Sequence, residues 1–534
     1  MTDKKNSTIL IGLDGATFSI LDPLMKAGKM PCLSEFASSG VRTELASTIP
    51  PITPPAWTSI MTGKGPGNHG IFDFFRPESP GSHFLRLVNS KQITCETIWS
   101  LLTRQGFQST CLNFPVMSPP IPISGYSISG FVTWRHLRQA CYPPDLMDTL
   151  KRIPGFDLKI IGHNFSLEEK VIVGCPPEEA EEWIRYHTLK DRQWFLVLQY
   201  LAKTDPCHLS AIVFDSPDRL QHVFWHLLDN SCYPGHPTEE EKKIREFLYD
   251  HYCQLDRMIA EIVSTAGPRT NIFIVSDHGF GPSYERLFLN SCLENLGYLT
   301  WSEKPVSVEE GTGDVSMDAI RRHGQLLDWS KTTAYVDTPS SNGVRINVIG
   351  RNCKYGINSS DYGSFLEKLR KDLEQIKHPQ TGNPVITRTW TRNEAFSGSE
   401  LAPDLTIQLW DHGLVSTLKS NSIIKSRSQC TGVHYPNGIF MAKGPGIRRG
   451  AKVDILNILD VAPLLLYSLG LPVPEDYEGN VPVDIFDPDV LKKKPVKRGE
   501  STLPVDNLSI PSFEMEKEER DEIIDRLKGL GYLD

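Results

Sequence analysis

"EEEKKIREFLYDHYCQLDRMIAEIVSTAGPRTNIFIVSDHG", residues Glu239–Gly279, holds the reading on which the fold turns. Glu239–Ala266 carries apolar residues at helical spacing. After a short polar link, "TNIFIVSDHG" (Thr270–Gly279) is an apolar run that ends in polar and turn residues, as a buried strand does. The same short apolar run with a polar end recurs upstream as "HLSAIVFDS" (His208–Ser216), "FQSTCLNFP" (Phe107–Pro115) and "STILIGLDG" (Ser7–Gly15). Strands alternating with amphipathic helices predict an α/β fold: a mostly parallel central sheet flanked by helices. In such sheets ligands sit beyond the carboxyl ends of the strands. Asp14, Asp215, Asp218, Asp277 and His278 all fall at or just past such an end.

A chain of 534 residues with 39% hydrophobic content can bury a large core. Its net charge of −9, with no basic stripe, argues against a nucleic-acid surface. No apolar run reaches the roughly 18 residues that span a bilayer. "MTDKKNSTILIGLDG" passes from a polar lead straight into a strand with no signal-peptide pattern, so a cytoplasmic location is expected. Eleven cysteines without a CxxC pair read as reduced thiols.

Two stretches break the alternation. Residues 118–204 contain "SPPIPISGY", "CYPPD" and a helical run, and residues 284–399 contain "EEGTGDVSMD" and the short strand "GVRINVIG". Both read as inserted cap segments able to roof a pocket. Strands resume with "PDLTIQLW" and "GIFMAKGP", then the apolar helix "ILNILDVAPLLLYSLG". From Phe486 to about Phe513 the Lys-, Pro- and Ser-rich composition predicts an extended tail, followed by a terminal helix.

The chemistry gathers in a few places. "TIPPITPPAWTSIMTGKGPGNHGIFDF" (Thr48–Phe74) brackets one threonine, Thr53, with Pro50, Pro51, Pro54 and Pro55. A turn needs one proline; a hydroxyl that must point in one direction can use them all. Asp14, Asp218, His222, Asp277, His278 and His434 add three carboxylates and three imidazoles. That donor set without thiolate suits zinc, manganese or iron in a hydrolytic rather than a structural site. Asp218 and His222, four apart, share one face of a helix. Singly, each has a plainer reading: a helix N-cap for Asp14, a surface pair for Asp218 and His222, a turn or cap for Thr53. Together and in this order they read as one site. "GKGPGNHG" does not match the phosphate-loop pattern GxxxxGK[ST].

In these motifs the chain resembles the alkaline phosphatase superfamily, in its type I phosphodiesterase/nucleotide pyrophosphatase branch, close to proteins called phosphohydrolase/phosphomutase. "GLDGAT", "TPPAWTSIMTGKGPGNHGIFDF", "DSPDRLQH", "SDHGF" and "GVHYPNGIFMAKGPG" match in order, and "DVAPLLLYSLGLPVPEDYEG" and "LKGLGYL" add to them. The resemblance implies an alkaline phosphatase-like catalytic domain over residues 1–485, interrupted at about 118–204 and 284–399, with residues 486–534 as tail and C-terminal helix. It implies two divalent ions, Zn²⁺ first with Mn²⁺ or Fe as alternatives. Asp14, Thr53, Asp277 and His278 would hold one ion, and Asp218, His222 and His434 the other. Thr53 would be the nucleophile; "TG" (Thr62–Gly63) nine residues later resembles the branch's spacing. "TPPAW" lacks the C/S-x-P-x-R motif of sulfatases.

The expected function is a metal-dependent phosphoryl-transfer hydrolase, of phosphodiesterase, nucleotide pyrophosphatase or phosphatase type, acting on a small phosphate ester through a covalent phospho-threonine. The alternatives are a phosphomutase of the same fold and a non-catalytic phosphate-ester binding protein. Asn113, Lys64 and Arg76 are candidate phosphoryl contacts, and Trp134 and Arg135 candidate substrate contacts from the first insertion. Oligomeric state is not legible.

Overall fold

The computed structural model describes residues 7–77, 85–132, 137–161, 177–232, 235, 237–302, 326–351 and 353–505. Two compact units emerge: among the described residues, those within 7–71, 89–280 and 434–505 form the first, and those within 72–88 and 281–433 the second.

The first unit is built on a nine-stranded sheet. Its strands are β1 (Ser7–Leu13), β2 (Val41–Ala46), β3 (Ser109–Phe114), β4 (Gly125–Ser129), β5 (Cys141–Tyr142), β6 (Leu209–Phe214), β7 (Thr270–Val275), β8 (Asn437–Lys443) and β9 (Leu456–Asn457). In space they run β9-β2-β8-β7-β1-β6-β3-β4-β5. β1 pairs in parallel with both β6 and β7, with Ile11 opposite Ile212 and Ile274. β3 continues the parallel run to β6 and β4. Only β8, between β2 and β7, and β5, at the edge, are antiparallel to their neighbours. This is the mostly parallel α/β sheet that the alternation predicts.

Alternation within each strand gives the sheet two apolar faces. Leu10, Ala211, Val275 and Phe440 belong to one core, which helices Thr53–Thr62, Ile98–Arg104 and Val461–Leu469 cover with Trp57, Trp99 and Leu465. Ile11, Ile212 and Ile274, equally buried, take the other side. Helix Glu239–Thr265 starts on a Thr238/Glu241 capping box and buries Ile244, Leu248, Leu255, Ile259 and Ile262, residues recurring every three or four positions. It packs along helix Pro177–Thr204. No described helix is long and apolar enough to cross a membrane, and no disulfide joins the described cysteines.

Three sequence expectations change here. Part of 118–204 is not a cap: Gly125–Ser129 is β4 of the central sheet, and helix Pro177–Thr204 packs against β6 and β3. Its prolines and short apolar runs hide a strand of only five residues. "PDLTIQLW" does not rejoin the main sheet: Leu405–Leu409 lies in the second unit's own four-stranded sheet, between Gly343–Ile346 and Ile386–Thr391 and antiparallel to both. That sheet has its own core, including Leu293, Val344, Leu369 and Ile407. The start of the tail is ordered as well. Phe486 is buried, Asp487 caps helix Pro488–Lys493, and Arg498–Gly499 pairs with Val473–Pro474. The terminal helix expected beyond Phe513 lies outside the described residues.

Candidate active site

Five neighbouring strands of the first unit, β2-β8-β7-β1-β6, deliver every expected ligand to one edge of the sheet, roughly 19 Å wide at the usual strand spacing. Asp14 follows β1, Asp277 and His278 follow β7, and Asp218 and His222 stand on helix Ser216–Leu228 after β6. Thr53 opens the helix that follows β2. β8 runs the other way, so it presents its beginning at this edge, where His434 sits just before Asn437.

Local sequence fixes these positions. Pro54 and Pro55 occupy the first turn of helix Thr53–Thr62, where proline's set φ suits a helix and its missing N–H costs little. The backbone carrying Thr53 is thus held from its first residue. Trp57, one turn later and fully buried, donates its indole N–H to Asp14 Oδ2 at 3.2 Å. Its ring lies over Gly12, where a Cβ would strike it. Gly15, at φ +65°, donates its N–H to Asp277 Oδ1 at 3.1 Å.

The seven side chains converge, and each is buried. Thr53 Oγ1 is 3.2 Å from His278 Nε2. His278 Nε2 lies 3.1 Å from Asp277 Oδ2 and 3.6 Å from Asp14 Oδ1. Asp218 Oδ1 is 3.0 Å from His434 Nε2 and 3.4 Å from His222 Nε2, and the two imidazole nitrogens are 3.1 Å apart. The His278 and His434 rings stack with centroids 3.4 Å apart. Among the described residues, two groups have donor atoms close enough to share an ion: Asp218, His222 and His434, and Asp14, Asp218 and His278. Asp218 is common to both.

The electrostatics call for a cation. Burial, with Asp277 and Asp218 nearby, raises the Asp14 carboxyl well above its ordinary range; burial likewise raises Asp277. Burial also opposes charge on Asp218, yet His222 and, behind it, Arg219 hold its carboxyl well below the usual range. Burial lowers His278 strongly, with His434 adding to it, and lowers His434, so both imidazoles are neutral. The Pro51 carbonyl can only accept, so His434 Nδ1 carries the proton in their 2.8 Å hydrogen bond. The His434 Nε2 lone pair then faces Asp218 Oδ1. Asp14 Oδ1 and Asp277 Oδ2 are buried with no hydrogen-bond partner. Lone pairs that converge in this way are stable only around positive charge. The donor set fits divalent cations.

A model of the type I phosphodiesterase/nucleotide pyrophosphatase family matches residues 8–435. The chain belongs to that family. It is a phosphohydrolase of the alkaline phosphatase superfamily, of the phosphodiesterase/pyrophosphatase type. No curated protein matches the chain in sequence. Among solved structures it is similar to phosphonoacetate hydrolase from Sinorhizobium meliloti 1021 in complex with phosphonoformate. The identity is 16% and the TM-score 0.53, over 87% of this chain and 95% of the other. Human ectonucleotide pyrophosphatase/phosphodiesterase 5 gives 14% identity and a TM-score of 0.51, over 90% of this chain and 100% of the other. An inactive threonine-to-alanine variant of the murine counterpart, in complex with AMP, gives 14% and 0.51, over 91% and 100%. At these identities the likeness is one of fold.

The structure gives the expected phosphoryl contacts these partners. The Asn113 amide donates to Val213 O at 2.9 Å and to Asp215 Oδ1 at 3.4 Å, tying β3 to β6. The Lys64 ammonium pairs with Asp476 Oδ2 at 2.5 Å and donates to Thr502. Arg76 belongs to the second unit, where it pairs with Arg86 across the hairpin of Phe75–Pro77 and Leu85–Leu87. Burial, then Arg86, lowers its pKa. Trp134 and Arg135 lie outside the described residues. Trp57 and Arg219 escaped the sequence reading. The available signal was their position: Trp57 stands one helical turn past Thr53, and Arg219 directly follows Asp218.

Proposed function

We propose that the chain hydrolyses small phosphate esters with Thr53 as a covalent nucleophile at a two-cation site. Asp14, Thr53, Asp277 and His278 would hold one cation, and Asp218, His222 and His434 the other, with Zn²⁺ the ion this donor set suits first. Bound there, divalent cations supply Lewis-acid stabilisation of charge on the entering and leaving oxygens and favour ionisation of the hydroxyl. The observation that carries the reading is the buried Thr53 hydroxyl at the start of a proline-fixed helix, 3.2 Å from His278 Nε2 amid the ligand set.

Thr53 Oγ1 attacks phosphorus, the bond to the ester oxygen breaks, and the alcohol leaves carrying a proton. Water then attacks the phospho-threonine, releasing the phosphate product and restoring the hydroxyl. The fixed backbone at Thr53 orients Oγ1 for in-line attack, and orientation of this kind is worth several kcal/mol of barrier. His434 is aimed by the Pro51 carbonyl, and Asp14 by the Trp57 indole. The inactive threonine-to-alanine variant among the fold relatives supports the role of Thr53.

The test is turnover of phosphate mono- and diesters by Thr53→Ala and Thr53→Ser. The alanine variant is expected to lose about 10³-fold or more, since no other nucleophile replaces the hydroxyl. Serine is expected to retain part of the rate. Full activity in the folded alanine variant would sink the covalent mechanism.

A further inference from the structure

Behind the ligand Asp218 runs a buried chain of alternating charges. Lys190, on helix Pro177–Thr204, places Nζ 2.8 Å from Asp215 Oδ2. Asp215 receives the Asn113 amide on its other oxygen at 3.4 Å. Arg219, one turn on, has Nε 3.8 Å from Asp215 Oδ2 and Nη1 3.5 Å from Asp218 Oδ2. Its guanidinium lies 5.0 Å from the centroid of the Phe131 ring. Lys190, Asp215, Arg219 and Asp218 are each at most 2% exposed.

Burying four charges is a poor way to gain stability, because well-packed apolar residues of the same volume usually do as well or better. What the chain does supply is direction. The two oxygens of Asp218 are divided: Oδ1 faces His434 and His222, and Oδ2 faces Arg219. Arg219 is itself divided between two carboxylates. Asp215 pulls the guanidinium away from Asp218, where it would otherwise compete more strongly with a cation for that carboxylate. Lys190 and Asn113 fix Asp215 in turn.

We infer that Arg219, anchored through Asp215 by Lys190 and Asn113, is a positioning residue that sets which oxygen of Asp218 is offered to the cations. This rests on the two-cation reading. Partners behind metal ligands commonly change affinity 10- to 100-fold when removed.

The experiment uses the full chain, stripped with chelator and titrated calorimetrically with Zn²⁺. The double variant Lys190→Met/Asp215→Asn removes one charge of each sign, so it leaves no orphaned ion from that pair but frees Arg219 from its anchor. One Zn²⁺ is expected to bind about 10- to 100-fold more weakly, and the other within about threefold of wild type. Wild-type affinity for both ions in the folded double variant would overturn the positioning role. Arg219→Lys keeps the charge but not the fork. It is expected to show the same selective loss, and it decides the matter if the double variant does not fold; wild-type affinity there would overturn the inference too. A wild-type chain that takes up no Zn²⁺ would overturn the two-cation reading and this one with it. Two ions bound alike by wild type and variants would remove the positioning role alone.

Discussion

Trp57→Phe separates packing from site geometry. The indole is fully buried, donates to Asp14 Oδ2 at 3.2 Å, and meets Phe114 edge-on with centroids 5.4 Å apart. Phenylalanine keeps an aromatic ring in the same slot over Gly12 but lacks the N–H. The lost hydrogen bond to a carboxylate costs about 1.5–3 kcal/mol. The ring is smaller by roughly 40 Å³, and at about 24 cal/mol per Å³ the unfilled space adds about 1 kcal/mol. The first unit is therefore expected to lose about 2.5–4 kcal/mol in urea unfolding, read by far-UV circular dichroism. Asp14 also loses the contact that fixes its rotamer, so affinity for one cation is expected to fall about 10- to 100-fold. Calorimetric titration of the stripped protein measures that. If stability falls as stated while both cations bind within twofold of wild type, Trp57 only fills space, and the argument that it aims Asp14 is wrong.

Two further outcomes are expected. His434→Ala removes a donor from the Asp218 and His222 group alone; elemental analysis should find one ion retained and one lost, and equal loss of both would contradict the assignment. In the second unit, Asp73 accepts hydrogen bonds from Thr338 and Ser340, and burial raises its pKa from 3.8 to about 6. A raised folded value means the stabilising contribution is complete below the unfolded pKa and is lost as pH rises through about 6. A shift of roughly 2 units corresponds to roughly 3 kcal/mol. Asp73→Asn is neutral throughout, so its stability relative to wild type should rise between pH 4 and pH 7; a difference independent of pH would refute the burial argument.

The sequence by itself determined the elements and the chemistry. Continuous apolar runs such as "TNIFIV" became strands because a strand buried on both faces must be apolar throughout, and the capping box at Thr238 started its helix where expected. The ligand residues were legible because polar groups at successive strand ends have few bland explanations when taken together. The tertiary structure alone decided which sheet a strand joins: "TIQL" and "IFMA" carry the same local pattern, yet one lies in the second unit and the other between β2 and β7. It decided that β8 runs antiparallel, which brings His434 to the same edge as the residues that follow parallel strands. Asn113 has the polarity of a ligand contact, and only the tertiary structure shows that its amide also ties β3 to β6 through Val213 and Asp215. The reason is physical. Strand propensity and donor chemistry belong to single residues and near neighbours, whereas register, strand direction and the partner of a buried charge are set by contacts between segments far apart in the chain, as with the 216 residues separating Asp218 from His434.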